Sequence, residues 1–212
     1  MTAADPRLRA MLRLAPVIPA FAPDGIDDAV RVAQALFRGG LPVIEVSLRA
    51  ANALEAAAAI IAAVPDAVVG AADVADAAQM ERARVAGCRY AVAPGADDRL
   101  HAAAHGADLP FLPGVATTAE LMRGLERGAD TFAFAATDAA TGIPILSAWA
   151  QAFDGVCFRP GGLAAADHAR PFLHLPNVLC VGADWLTGTG LAQAGDSDGI
   201  ERRARQAAVL AG

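Results

Sequence analysis

The most constraining feature of this chain is a rhythm. Short β-branched or apolar runs give way to longer alanine-rich stretches of helical character, and the pair recurs almost without interruption from Val17 to Leu210. Such alternation is the signature of repeated βα units around a parallel sheet. Strands are expected at Val17–Phe21, Val43–Ser47, Ala67–Ala71, Tyr90–Ala93, Phe111–Leu112, Thr131–Ala135, Val156–Phe158 and Val178–Gly182. Helices are expected at Pro6–Leu14, Asp27–Arg38, Asn52–Ala63, Val74–Ala86, Asp97–His105, Thr118–Arg127, Pro144–Phe153, Leu163–Phe172 and Gly199–Leu210. Glycines at Gly39-Gly40, Gly87, Gly128 and Gly155 fall where a left-handed residue closes a helix before the next strand. Eight strands at regular spacing predict closure into a single (β/α)8 TIM barrel over residues 1–212, with an extra N-terminal helix. An open doubly wound sheet is the competing fold, but Ala20-Phe21-Ala22-Pro23-Asp24 follows the first strand where that fold carries a glycine fingerprint.

Charge narrows the partners. A formal net charge of -6 with no basic cluster argues against nucleic acid and against an anionic membrane, both of which need a concentrated positive field. No apolar run reaches the length of a membrane span. Cys88, Cys157 and Cys180 are odd in number and sit in apolar surroundings, which suits reduced thiols in the cytoplasm and packing as small hydrophobes. All 17 residues of the Lys+Arg count are arginines, so the chain has no lysine. That absence removes the side-chain amine that condenses with a ketone to give an electron-accepting iminium.

In a barrel the chemistry lies at the C-terminal ends of the strands. That rule selects Glu45, Arg49, Asp73, Pro94, Gly161, Gly162 and Asp184, with Asp138, Arg159 and Trp185 nearby. A carboxylate on the inward face of Val43-Ile44-Glu45-Val46 is costly unless paired, hydrogen-bonded or functional, so Glu45 is read as an acid–base group, or else as a structural ion-pair partner of Arg49. The planar fork of Arg49 suits the carboxylate of a 2-oxo acid; the bland alternative is a surface arginine. Asp73 either caps the following helix or joins Glu45 in holding a divalent cation such as Mg or Mn. Gly161-Gly162 lies where backbone N–H groups cradle an anion in many barrels, yet Asp184 beside it opposes a phosphate. By strand alternation Thr131, Ala133 and Ala135 point inward and Phe132 and Phe134 outward, while Arg159 faces either way. His101, His105, His168 and His174 lie away from the strand ends and are read as packing or exposed residues.

The runs Pro16-Val17-Ile18-Pro19, Ile44-Glu45-Val46 with Leu48-Arg49, Val69-Gly70-Ala71, Ala93-Pro94-Gly95, Leu112-Pro113-Gly114-Val115, Pro160 with Gly161-Gly162, and Gly182 with Trp185-Leu186 together resemble the KDPG/KHG aldolase family. The match holds one register over nearly the whole chain, until one residue is missing before the glycine pair. The resemblance implies a trimeric class I aldolase that cleaves a 2-oxo-4-hydroxy acid to pyruvate and an aldehyde through a lysine on strand six. It makes Glu45 the acid–base group and places a threonine where Asp73 stands. At the lysine's position this chain has Ala133, and at the aromatic two residues on it has Ala135. The expected function is therefore aldolase-like lysis of a small 2-oxo acid by non-Schiff-base chemistry, with a divalent ion at Glu45 and Asp73 as electron sink. The rivals are a catalytically silent relative that binds a small carboxylate, and a different substrate on the same scaffold.

Overall fold

The computed structural model describes residues 5–135, 138–187 and 195–211. Its strands are β1 (Val17–Phe21), β2 (Val43–Ser47), β3 (Val68–Ala72), β4 (Tyr90–Val92), β5 (Phe111–Leu112), β6 (Gly114–Val115), β7 (Thr131–Ala135), β8 (Cys157–Gly161) and β9 (Val181–Ala183). Between them run helices α1 (Pro6–Leu12), α2 (Ile26–Arg38), α3 (Ala53–Ala63), α4 (Ala77–Val85), α5 (Asp98–Gly106), α6 (Thr118–Glu126), α7 (Ala139–Ala152), α8 (Ala166–Leu173) and α9 (Ser197–Ala208).

The strands form a curled, wholly parallel arrangement in two sheets, one ordered β5-β4-β3-β2-β1-β9 and one ordered β6-β7-β8. Pro113 alone separates β5, the strand expected at Phe111–Leu112, from β6, a short strand that was not expected. Proline has no N–H for a ladder, so the pairing breaks there. Isolated bridges Phe158–Val178 and Leu163–Ala183 link the β8 edge to the chain at and before β9.

Two apolar clusters follow from strand alternation. The larger lies between the sheet and its helices and holds Phe132, Phe134, Phe158 and Trp149. The smaller lies inside the curl and holds Ile18, Val43, Tyr90, Leu112, Ala133 and Cys180. Thus Phe132 and Phe134 face out and Ala133 faces in, as the period of two requires. Helix α1 adds Leu8 and Leu12 to the inner cluster. Arg9 ties it down, donating from Nε to Thr131 Oγ1 (3.0 Å) and from a terminal nitrogen to the Asp130 and Gly155 carbonyls (3.0 and 2.6 Å). All three acceptors precede or open the strands, so α1 covers the N-terminal end of the sheet.

Several boundaries differ from expectation, and four of them bear on the site or its supports. Helix α4 starts after Asp76, which accepts from the Gln79 N–H (2.7 Å), and not at Val74. Helix α7 starts at Ala139, capped by Asp138 accepting from Thr141 N–H (2.7 Å), so Pro144 lies inside it and does not begin it. Strand β8 runs to Gly161, and β9 is shorter than predicted. The glycine turns hold at Gly40, Gly87, Gly128 and Gly155, all at positive φ. Gly39 stays at φ −75° and matters for room, since a Cβ there would stand 2.3 Å from that of Ala204 on α9.

Candidate active site

At the C-terminal mouth of the strands lies a pocket of about 640 Å³. Of the residues singled out from the sequence, Glu45, Arg49, Asp73, Pro94, Gly161, Gly162 and Asp184 line it, as do Ala133 and Arg159, whereas Asp138 and Trp185 do not. The site order follows from register. Ala20 stands beside Glu45, Glu45 beside Gly70, and Ala133 beside Arg159.

Glu45 is the floor. Its side chain is 1% exposed, Arg159 forms a salt bridge to it, and the Tyr90 hydroxyl donates to its Oε1 at 3.0 Å. The Arg159 side chain is itself only 9% exposed. Two glycines make room for these partners. A Cβ on Gly70 would come within 2.5 Å of the Tyr90 ring, and one on Gly182 within 2.6 Å of the Arg159 guanidinium carbon. Burial pushes the Glu45 carboxyl above the usual range, with the Arg159 charge and the Tyr90 hydroxyl pulling the other way. Burial and the neighbouring Glu45 likewise push the Tyr90 phenol well up, so it stays a neutral donor.

Arg49 and Asp73 form a second pair nearer the mouth. Asp73 sits at φ 60°, a left-handed conformation that aspartate tolerates better than most residues, and its Oδ2 lies 3.0 Å from Arg49 Nε. Ser47 Oγ donates to the same carboxylate at 2.5 Å, and Arg49 Nε also donates to Ser47 Oγ at 3.1 Å. These contacts take Nε. The terminal nitrogens of Arg49 have no acceptor among the described residues, which leaves the fork able to take a carboxylate with two bonds.

Three expectations are corrected. Asp73 does not cap the next helix, because Asp76 does. Glu45 does not pair with Arg49; its partner is Arg159, which turns inward on β8. Nor do Glu45 and Asp73 form a common donor set for a divalent ion. Each is matched to its own arginine, and no group of three or more candidate ligands occurs among the described residues. The site does not fit that ion. The sequence reading overlooked Ser47 and Tyr90 and left Arg159 undecided. The one tyrosine of the chain, in an apolar run, was the available signal, since a buried phenol needs a partner.

Asp24 and Asp184 also line the pocket, and neither has an ion-pair partner among the described residues. Four carboxylates thus face two guanidiniums, a balance that works against a phosphate dianion despite the glycines. Gly162 takes a left-handed φ of 78°.

Comparison with known proteins places this geometry. The family model "KDPG and KHG aldolase" matches residues 8–203. The chain belongs to the KDPG and KHG aldolase family. It is 38% identical over 198 residues to the KHG/KDPG aldolase of Escherichia coli K12, covering 93% of this chain and 92% of that one. It is 43% identical over 182 residues to the 2-dehydro-3-deoxy-phosphogluconate aldolase of Zymomonas mobilis, covering 85% and 86%. Among solved structures, the Zymomonas mobilis ZM4 2-keto-3-deoxy-6-phosphogluconate aldolase with 3-phosphoglycerate superimposes with a TM-score of 0.89 at 39% identity, covering 95% of this chain and 94% of its own. The Legionella pneumophila KDPG aldolase, with pyruvate captured at low pH as a covalent carbinolamine, gives a TM-score of 0.90 at 35% identity over 94% and 97%. A carbinolamine joins a carbonyl carbon to an amine nitrogen, and this family member has no lysine to supply one. No helix among the described residues is long and apolar enough to cross a membrane.

Proposed function

We propose that the chain is a lyase on a small, non-phosphorylated 2-oxo acid, releasing pyruvate without a Schiff base, on one (β/α)8 barrel made by its two sheets. The observation that carries this reading is the juxtaposition, at one pocket floor, of a buried basic carboxylate, Glu45, with a methyl group, Ala133. Glu45 moves the proton, because burial raises its affinity for one. Arg49, braced through Nε by Asp73 and Ser47, takes the substrate carboxylate on its open fork. Pro94, Gly161 and Gly162 shape the walls, and the unmatched Asp24 and Asp184 disfavour a phosphate dianion on the substrate's tail. Closure of the barrel is supported by the single-residue step at Pro113 and by the bridges from the β8 edge toward β9.

The test is pyruvate release from 4-hydroxy-2-oxoglutarate and from KDPG in the presence of EDTA, with borohydride added to a parallel sample containing pyruvate. Faster release from the non-phosphorylated acid and an unchanged protein mass are expected. A trapped pyruvate adduct, or faster release from KDPG, overturns the reading. A second reading, a carboxylate-binding protein without turnover, is favoured by an open Arg49 fork in one pocket with Ala133, where the grip for a carboxylate is kept and the amine is lost. It predicts binding of pyruvate with no release from either acid.

A further inference from the structure

We propose that Arg159 is a catalytic residue that stabilises the oxyanion developing on the 2-oxo group of the substrate. This rests on the 2-oxo-acid reading above. Arg159 stands beside Ala133 in the β7–β8 register, turned into the pocket where the alanine leaves space. Its guanidinium has five N–H donors in a rigid fork. One terminal nitrogen serves Glu45, while the buried Nε has no acceptor among the described residues. Buried donors are ordinarily satisfied, so an orphaned Nε marks a guanidinium whose hydrogen bonds are not spent inside the fold. The other terminal nitrogen, on the Gly161 side of the pocket, likewise has no acceptor among the described residues, and a ligand oxygen arriving beside Ala133 supplies one. Gly182 and Gly161 keep side chains off the guanidinium, which lies where a Cβ would otherwise sit. Solvent is largely excluded there, so a fixed positive charge is worth far more than at the surface.

The step balances without an oxidant or reductant. Glu45 takes the proton of the 4-hydroxyl, the C3–C4 bond breaks, and the aldehyde leaves. The electron pair moves into the C2–C3 enolate, whose oxygen faces Arg159. Glu45 then returns its proton to C3, giving pyruvate. Because Glu45 and Arg159 touch, proton carrier and oxyanion holder are side by side.

Exchange of the pyruvate methyl protons in D2O, followed by proton NMR, isolates the enolate step. Calorimetric affinities for pyruvate and for oxalate, which mimics the enolate, isolate its binding. Wild type is expected to exchange and to prefer oxalate by about tenfold or more. Arg159→Met is expected to slow exchange about 100-fold and to abolish the oxalate preference. Arg159→Lys keeps the charge without the fork, slows exchange about tenfold, and decides the matter if the methionine variant does not fold. Exchange within twofold of wild type in either folded variant, with oxalate still preferred, makes Arg159 a mere counter-ion and overturns the proposal. So does wild-type protein that binds pyruvate and does not exchange it. If neither ligand binds wild type, the 2-oxo-acid reading itself fails; if pyruvate binds through Arg49 and only the Arg159 arms disagree, that reading survives and this one does not.

Discussion

Two carboxylate–guanidinium pairs face the same pocket in different surroundings. Glu45–Arg159 lies at the floor with both side chains at or below a tenth exposed, whereas Arg49 of the upper pair is 75% exposed and Asp73 34%. Below, the charges have little water to return to, so each depends on the other and the Glu45 carboxyl is pushed up by burial. Above, water competes for both partners and the pair is worth little to the fold. On the proposed function the difference divides the work: the lower pair holds charge for chemistry and the upper one orients a side chain for a ligand.

The largest effect should come from breaking the lower pair on one side. Arg159→Met leaves Glu45 buried without its counter-charge and is expected to cost about 3–5 kcal/mol in urea unfolding. Glu45→Met with Arg159→Met should recover most of that loss, since an apolar pair of similar volume is often as stable. A single substitution costing less than about 1 kcal/mol would make the two pairs equivalent and remove the contrast.

Next is the pH profile of pyruvate proton exchange. The proposed reaction needs Glu45 ionised, so the rate should fall in acid with an apparent pKa above the ordinary carboxylate range. The guanidinium favours the ionised form, so in Arg159→Lys, with a less well matched cation, the limb should shift to higher pH. A limb at or below about 4.3, the free glutamate value, contradicts the burial argument.

Smaller changes are expected at the mouth. Asp73→Ala should alter stability by under about 1 kcal/mol and raise KM about threefold with kcat unchanged, because the fork loses its brace and nothing in the reaction does. A fall in kcat instead would place Asp73 nearer the reacting atoms. Cys180 should show the least response. It is buried beside the lower pair, and burial pushes its thiol up to about 12, so iodoacetamide at pH 8 should leave it unmodified in folded protein. Labelling within minutes would mean that the floor opens.

Much of this architecture was readable from the residues, and the misses have physical causes. The strand rhythm located β1, β2 and β7 to the residue, and strand parity placed Ala133 inward, because a period of two is a local property. Parity could not place Arg159. Its direction depends on where β8 begins and on its register against β7, which is a tertiary fact. Asp73 looked like a cap because aspartate before Val-Ala-Asp is a good one; in the fold Asp73 takes a left-handed turn and the helix begins after Asp76, three residues on. Pro144 looked like a first helical residue because proline suits that position, but the helix starts at Ala139, capped by Asp138, which was expected only near the site. Which arginine meets which carboxylate lay beyond any spacing, since partners 114 residues apart are joined only by the folded sheet.

Helix α1 has a consequence for traffic. With Leu8 and Leu12 packed into the inner cluster and Arg9 fastened across the strand starts, that end of the interior has a stopper. A ligand in the pocket is then expected to enter and leave past Arg49 and Asp73 at the opposite mouth. On the proposed cleavage, the fragment at the floor should leave last, and product-inhibition kinetics should show that it is the one competing with incoming substrate.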